Sequence, residues 1–511
     1  MRGYGSHPGS LGFHNFDICS LIFDLQVAVP PVYGLQPAVL LENDPKRSQI
    51  KREARVAPRL LCGYKARASG REPSTNWSVV RTQEHVTDCM DRSDKHTLIS
   101  NFLSLALVQW ANYLLPLLTL PFLFRVLTAE RYGLVVFAQT FMQYFIILTD
   151  FGFSLSATRE ISTNRADPAE VGRIFSSVML IKLALLVLSF LVLVALALTV
   201  PKFQDDWAVY FLAFGVVVGQ VLFPLWFFQG IERMKYVAVL NLVARLVFTI
   251  LVFAVIRRQD DYLLVPLFNS LGALTMGVIG LTLALIKFKV PLATPSRASL
   301  KQHIKAAHHI FAGKIAVSFY TTTNVVILGF FTSDAIVGYF AAGEKIVRAV
   351  QGLEMPFSQA VFPYISKLAG QSPQAALRFT RRLIPPVAAV TGLVSVALFV
   401  TAPLVARIAL GEASQDSASV IRILAFLPLI VAVAVVYGNL FLLSLGLAKV
   451  WARIVLVSGT LSLAGAALFV GVLKMGYIGL SVNVLLTESL ILLLCFLAYR
   501  KTSRDLLSRT Q

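Results

Sequence analysis

Charge is the scarcest commodity in this 511-residue chain: only 14% of its residues are Asp, Glu, Lys or Arg, where a soluble protein carries about a quarter. That deficit excludes an ordinary soluble globular domain. Cysteine occurs four times, at Cys19, Cys62, Cys89 and Cys495. Neither a disulfide framework nor metal-ligand spacing follows from those positions. No His/Cys cluster is present; His303, His308 and His309 lie on a basic connection and read as solvated. The sequence contains no Walker A glycine-rich lysine motif, so the chain is not expected to hydrolyse ATP itself. Two acidic pairs, Asp205-Asp206 and Asp260-Asp261, could in principle hold a metal beside a leaving diphosphate. Their connections are too short to carry a sugar-binding domain, which argues against a membrane glycosyltransferase. No metal, no cofactor and no catalytic residue are assigned.

What the chain has instead is apolar length. Hydrophobic residues make up 56% and the mean hydropathy is +0.71. From Asn101 onward, stretches of about 20 residues, each long enough to cross a bilayer, follow one another almost without interruption. Twelve are expected, near 98–124, 132–153, 174–200, 208–229, 236–256, 262–286, 308–331, 336–362, 384–410, 419–445, 450–473 and 476–499. The first, seventh and eighth carry polar residues and score weakly on hydropathy. The chain therefore reads as an all-α polytopic membrane protein.

The formal charge of +19 suggests nucleic acid until the basic residues are placed. Even-numbered connections hold Arg159, Arg165, Arg173, Arg233, Lys235, Lys287, Lys289, Arg297, Lys301, Lys305, Lys367, Arg378, Arg381, Arg382, Lys449 and Arg453. Odd-numbered connections hold half as many: Arg125, Arg131, Lys202, Arg257, Arg258, Arg407, Arg422 and Lys474, offset by acids such as Glu130, Asp206 and Asp334. Basic residues collect on the cytoplasmic side, so the even connections and both termini are expected there, and no nucleic-acid partner is needed.

The first ninety residues differ. They are rich in Pro, Gly, Arg and Ser, and their mildly apolar stretch from Ile18 to Leu41 is interrupted by Asp24, Pro30, Pro31 and Pro37. Residues 1–89 are expected to be a disordered tail or to precede the true start, since Met90 opens a short polar segment leading directly into an apolar stretch.

A weak repeat divides the remainder. "LTAERYGLVVFAQ" follows the first stretch and "FTSDAIVGYFAAGEK" the seventh, matching Thr128, Glu130 and Gly133 with Thr332, Asp334 and Gly338. The expected organisation is an extension (1–95), a first six-helix unit (96–290), a cytoplasmic basic linker (291–307), a second six-helix unit (308–500) and a cytoplasmic tail (501–511). Six is even, so both units have the same orientation, as in parallel-repeat transporters.

Polar groups inside apolar stretches are costly and usually face an interior or a wet cavity. Gln109 and Asn112 share a helical face of the first stretch; Gln139, Gln143 and Asp150 share one in the second. Lys314 stands in the seventh, and Glu344, Lys345, Arg348, Gln351 and Glu354 in the eighth. Isolated charges stand at Lys182, Arg245 and Glu488; Lys182, near a cytoplasmic end, is read as snorkelling to the interface. Glu344 and Arg348 are four apart and can pair within their helix. As a set, Lys314, Lys345, Arg348 and Arg245 outnumber the acids expected beside them. A net-cationic cavity attracts an anionic substrate, and a planar guanidinium suits phosphate.

The segments "SNFLSLALVQWANYLLPLLTLPFLFRVL", "YGLVVFAQTFMQYFIILTDFGFSLSATREIS", "PLWFFQGIERMKYVAVLN" and "SFYTTTNVVILGFFTSDAIVGYFAAGEKIVRAVQGLEMPFSQAVFPYISKL", in that order, resemble bacterial O-antigen and polysaccharide-unit flippases of the multidrug/oligosaccharidyl-lipid/polysaccharide exporter superfamily. The resemblance covers about 98–500. It implies two six-helix bundles forming a V around a cavity, in the bacterial inner membrane. It also implies a polyprenyl-pyrophosphate-linked oligosaccharide as substrate, moved to the periplasmic leaflet for O-antigen, capsule or exopolysaccharide, without ATPase activity. Proton or sodium coupling is proposed for relatives, and a polysaccharide polymerase and chain-length regulator are the partners implied. Under that reading Lys314, Lys345, Arg348 and Arg245 take the diphosphate or acidic sugar. Glu344 positions Arg348 or titrates; Gln109, Asn112, Gln139, Gln143 and Asp150 line the first bundle; Arg159 lies at the cytoplasmic mouth. The alternative is a cation-coupled drug or metabolite antiporter of the same superfamily, which would favour acids and aromatics over cations.

Overall fold

The computed structural model describes residues 92–508 other than 353 and 412–414, with side chains described from Leu115 except at 316, 317 and 319–321. The expectation for residues 1–89 lies outside the described residues. Among those described, regular structure is helical throughout, with no strand.

The long α1 (Arg92–Asp150) is two helices that meet at a kink at Thr128, whose φ of 67° and ψ of 165° fall where glycine is at ease and other residues are strained. Gly152, at φ 85°, turns the chain into α2 (Phe153–Thr163). Asp167 caps α3 (Pro168–Thr199), accepting from the amides of Ala169 and Glu170 with Pro168 in the first turn. A single turn, α4 (Pro201–Gln204), precedes α5 (Trp207–Leu222), α6 (Leu225–Gly230), α7 (Met234–Val255) and α8 (Leu264–Thr282). Small residues let α5 and α8 approach closely: a Cβ on Gly277 would stand 3.0 Å from the Leu222 side chain, and one on Gly219 2.7 Å from the Leu274 amide.

The basic connection expected as an open loop to residue 307 is helical from Arg297. Ser296 caps α9 (Arg297–Thr321) by accepting from Ser299 N–H at 3.1 Å, which the sequence reading overlooked. After α10 (Thr323–Phe331) come α11 (Asp334–Gln351), α12 (Glu354–Gln371), α13 (Pro373–Leu410), α14 (Gln415–Leu424), α15 (Leu427–Val435), α16 (Ala448–Ala466) and α17 (Gly476–Ser508).

Nine described helical segments are long and apolar enough to cross a membrane. The second expected span and the end of the first fall in one of them, Leu115–Thr163, and the polar seventh and eighth are not among the nine. Large aliphatic side chains stand on the outer faces, including Leu198, Ile286, Leu393 and Val472, each more than 70% exposed. Apolar exposure on that scale suits lipid rather than water.

The buried core is one body at one end and divided at the other. At the end of the odd-numbered connections a single cluster joins Leu120, Leu127, Phe137, Phe203 and Tyr210 to Leu328, Val337, Phe340, Ala406 and Val420. At the end of the even-numbered, lysine- and arginine-rich connections there are separate clusters. One, with Phe153, Phe175, Trp226 and Ala307, draws only on residues before 308. The others, with Tyr437, Phe441 and Tyr499 and with Ile365, Ala376 and Leu440, draw only on residues after 356.

The joined end is held by more than apolar packing. A Cβ on Gly133 would overlap the Asp334 carbonyl and stand 2.7 Å from the Gly338 amide nitrogen, and one on Gly338 would overlap the Ala129 carbonyl. Lys202 Nζ reaches Asp334 Oδ1 at 2.6 Å, and Arg125 donates to the Ile408 carbonyl. On the rim, the Arg257 and Arg258 backbone amides donate to Asp261 and hold its carboxyl below the usual carboxylate range.

Candidate functional site

The intramembrane charges gather in two groups. The first is built where α1 ends. Asp150, the last residue of α1, is followed by the Gly152 turn, so that Ser154 on α2 comes back over it and donates to its Oδ2 at 3.2 Å. Lys314, on α9, donates to the same carboxylate oxygen at 2.6 Å and also to Ser154 Oγ. Lys182 approaches from α3. It is 4% exposed, and its Nζ donates to the Gln220 carbonyl at 3.3 Å. It is near enough to Asp150 and Lys314 to interact electrostatically with both. Sequence explains its perch: the amide that would take the Gln220 carbonyl in a continuing helix belongs to Pro224, which has no N–H. Snorkelling is therefore the wrong account of Lys182, because the amine ends on a freed carbonyl inside the protein.

The second group is on α11 and its neighbours. Arg348 meets Glu344 Oε1 through both Nε and Nη2 at 3.2 Å, and its Nη1 lies 3.4 Å from Gln351 Oε1. Glu488 on α17 is within electrostatic reach of Arg348. Lys345 and Glu354 are half-buried, and among the described residues no ion pair holds Lys345. The excess of cations over acids is smaller than the sequence suggests. Lys182, Lys314, Arg245, Lys345 and Arg348 stand against Asp150, Glu344, Glu354 and Glu488, and two of the cations carry a carboxylate at hydrogen-bond distance.

Arg245 is exposed on α7, but not on the side of the lipid-like stripe. Helical spacing sets it on one meridian with Met234 and Val252, which are buried, and away from Val243, Val247 and Ile250, which are exposed. Its side chain leaves α7 on the packed side. Gln139 is half-buried and Gln143 exposed on the second segment of α1. The side chains of Gln109 and Asn112 lie outside the described residues. Arg159 is exposed at the start of the first even-numbered connection.

His303 departs from the solvated reading. It is 5% exposed, and its Nδ1 lies 2.8 Å from Glu160 Oε2, tying α9 to α2. The helix begun at Arg297 turns this one histidine inward while His308 and His309 stay exposed. Ser154 was not singled out from the sequence at all; its spacing of four from Asp150 was the available signal.

Residues 98–369 match the family model described as polysaccharide biosynthesis protein. A relative from Escherichia coli (strain K12), named "Putative O-antigen transporter", is 30% identical over 80% of this chain and 99% of its own. This chain belongs to the polysaccharide biosynthesis protein family. A second relative of the same name, from Shigella dysenteriae, is 31% identical over 77% of this chain and 98% of its own. Two solved structures share the fold at 14% identity. One is the lipid II flippase MurJ in an inward closed conformation, with TM-score 0.61 over 77% of this chain and 87% of its own. The other is an inward-facing multidrug resistance MATE family transporter of the MOP superfamily, with TM-score 0.55 over 77% and 99%. The chain thus shares the fold of these two structures, and Asp150–Lys314 and Glu344–Arg348 are ion pairs among its described apolar helices.

Proposed function

We propose that this protein is a flippase carrying a polyprenyl-pyrophosphate-linked oligosaccharide from the cytoplasmic to the periplasmic leaflet of the bacterial inner membrane by alternating access. The observation that carries the reading is the divided core. In this reading two six-helix bundles, 96–290 and 308–500 joined by the 291–307 linker, meet at the end of the odd connections and separate at the basic-rich end, where α9 stays against the first half through Lys314–Asp150 and His303–Glu160. The result is a V open to the cytoplasm, with both termini on that side. In this reading the charged groups of α1, α9 and α11 face the space between the halves.

A diphosphate and a chain of sugars cannot enter hydrocarbon without losing their water. Lys314, Lys345, Arg348 and Arg245 replace part of that hydration with fixed charge and N–H donors. Gln139, Gln143, Gln109 and Asn112 offer hydrogen bonds to sugar hydroxyls, and Arg159 marks the mouth. The lipid tail remains in the bilayer between the bundles. Rocking of the halves about the joined end then exposes the headgroup on the other side. Glu344 holds Arg348 and is the group placed to couple its release to a proton or sodium ion. The membrane, a polysaccharide polymerase and a chain-length regulator are the partners this role implies.

The near balance of cations by Asp150, Glu344, Glu354 and Glu488 favours a second reading, a cation-coupled drug or metabolite antiporter of the same fold. A strain lacking the protein separates the two. The flippase reading expects lipid-linked oligosaccharide to accumulate on the cytoplasmic leaflet and surface polysaccharide to disappear. Normal surface polysaccharide with raised drug sensitivity would establish the antiporter.

A further inference from the structure

Among the described residues the group around Asp150 holds two amines and one carboxylate, and of the two amines Lys314 is the one in an ion pair. Lys314 takes Asp150 at 2.6 Å with Ser154 bridging. Lys182 is more deeply buried than either, parked 3.3 Å from the Gln220 carbonyl, which Pro224 leaves without its helical donor. A carbonyl at the C-terminal end of α5 also carries the negative end of the helix dipole, a weak but suitable resting place for an ammonium. An amine engaged with a carboxylate offers little to a second anion. Were Lys314 to leave Asp150 with nothing in exchange, a carboxylate would remain uncompensated in a low-dielectric interior, at a cost of several kcal/mol.

We propose that Lys182 is a positioning residue of the substrate site: it takes over Asp150 when Lys314 turns to the diphosphate headgroup, and gives it back when the headgroup leaves. The exchange needs no net movement of charge into the membrane. It explains why a lysine is buried beside a pair that already looks complete. Lys182 itself makes no contact with the headgroup; its charge sets how readily Lys314 is released. The inference rests on the proposed diphosphate substrate, and the test separates the two.

The full chain is reconstituted in nanodiscs, and binding of inorganic pyrophosphate and of a polyprenyl diphosphate is measured for K182Q, K182R, D150N, D150N/K182Q and K314Q. Gln at 182 keeps a donor for the Gln220 carbonyl and loses only the charge. The expected result is about a tenfold loss of affinity in K182Q. K182R is expected within about threefold of wild type, and D150N/K182Q within about threefold as well, since no carboxylate then competes for Lys314. Wild-type affinity in K182Q, or a D150N/K182Q protein as weak as K182Q, overturns the proposal. If K182Q is not monodisperse, D150N is compared with D150N/K182Q: equal binding supports the exchange and unequal binding overturns it. Unchanged binding in K314Q instead shows that the diphosphate is not held here, which removes the substrate reading itself.

Discussion

Gly133 and Gly338, matched with each other in the repeat expected from the sequence, pack against each other backbone to backbone, with the Asp334 and Ala129 carbonyls filling the space where side chains would stand. If that match is a true repeat, the two residues lie beside the axis relating its copies, and the seam between the proposed halves runs through them. Larger residues at either position must push the seam apart. G133V and G338V are expected to lengthen the distance between spin labels placed across the joined end and to cut transport at least tenfold. An unchanged distance distribution in both would show that the seam is not where the halves meet.

The Lys202–Asp334 pair bridges the same end, and each side chain keeps about a fifth of its surface. A pair this enclosed contributes on the order of 1–3 kcal/mol, little enough for it to open. K202C/D334C in a background without other cysteines is expected to be bridged by a short, reducible bifunctional thiol reagent, to stop transport when bridged, and to recover on reduction. Full transport in the cross-linked protein would mean that this end need not part.

Arg348 is held by Glu344 and Gln351 in a fixed fork. R348A is expected to abolish export with normal membrane insertion. R348K is expected to recover only a small part, because an ammonium cannot reproduce two-point contact with phosphate. Surface polysaccharide near wild type in R348A, read by gel, removes Arg348 from the site.

Removing Lys314 leaves Asp150 to Ser154 and the more distant Lys182. K314Q is expected to lose about 1–3 kcal/mol of stability, less than a fully buried pair because both side chains remain partly exposed. D150N/K314Q should regain most of that stability in a thermal melt and remain inactive. Recovery of transport in the double variant would make the pair a structural staple.

How much of this was legible beforehand follows from what each residue needs. Hydropathy marked a membrane protein built of apolar helices, because lipid imposes that pattern directly. The Gly133/Gly338 correspondence was visible as a repeat, but contact between its copies was not, since spacing carries no information about which helices meet. Asp150 and Lys314 were both marked as polar intruders, but 164 residues separate them, and only the fold shows that one neutralises the other. Lys182 was misread because distance from the end of a span is a poor guide when Pro224 frees a carbonyl within reach. His303 was misread because the helix from Arg297, capped by Ser296, was taken for a loop.

The central claim is that cations sheltered between two halves stand in for water around a diphosphate while it changes leaflet. The most direct measurement is leaflet transfer in vesicles containing only this protein, comparing a polyprenyl-diphosphate oligosaccharide with the same lipid and sugar joined by a neutral linkage. The account predicts transfer of the diphosphate lipid, none of the neutral one, and loss of transfer in K314Q and R348A. Equal transfer of both lipids, or transfer undiminished in those variants, would contradict it.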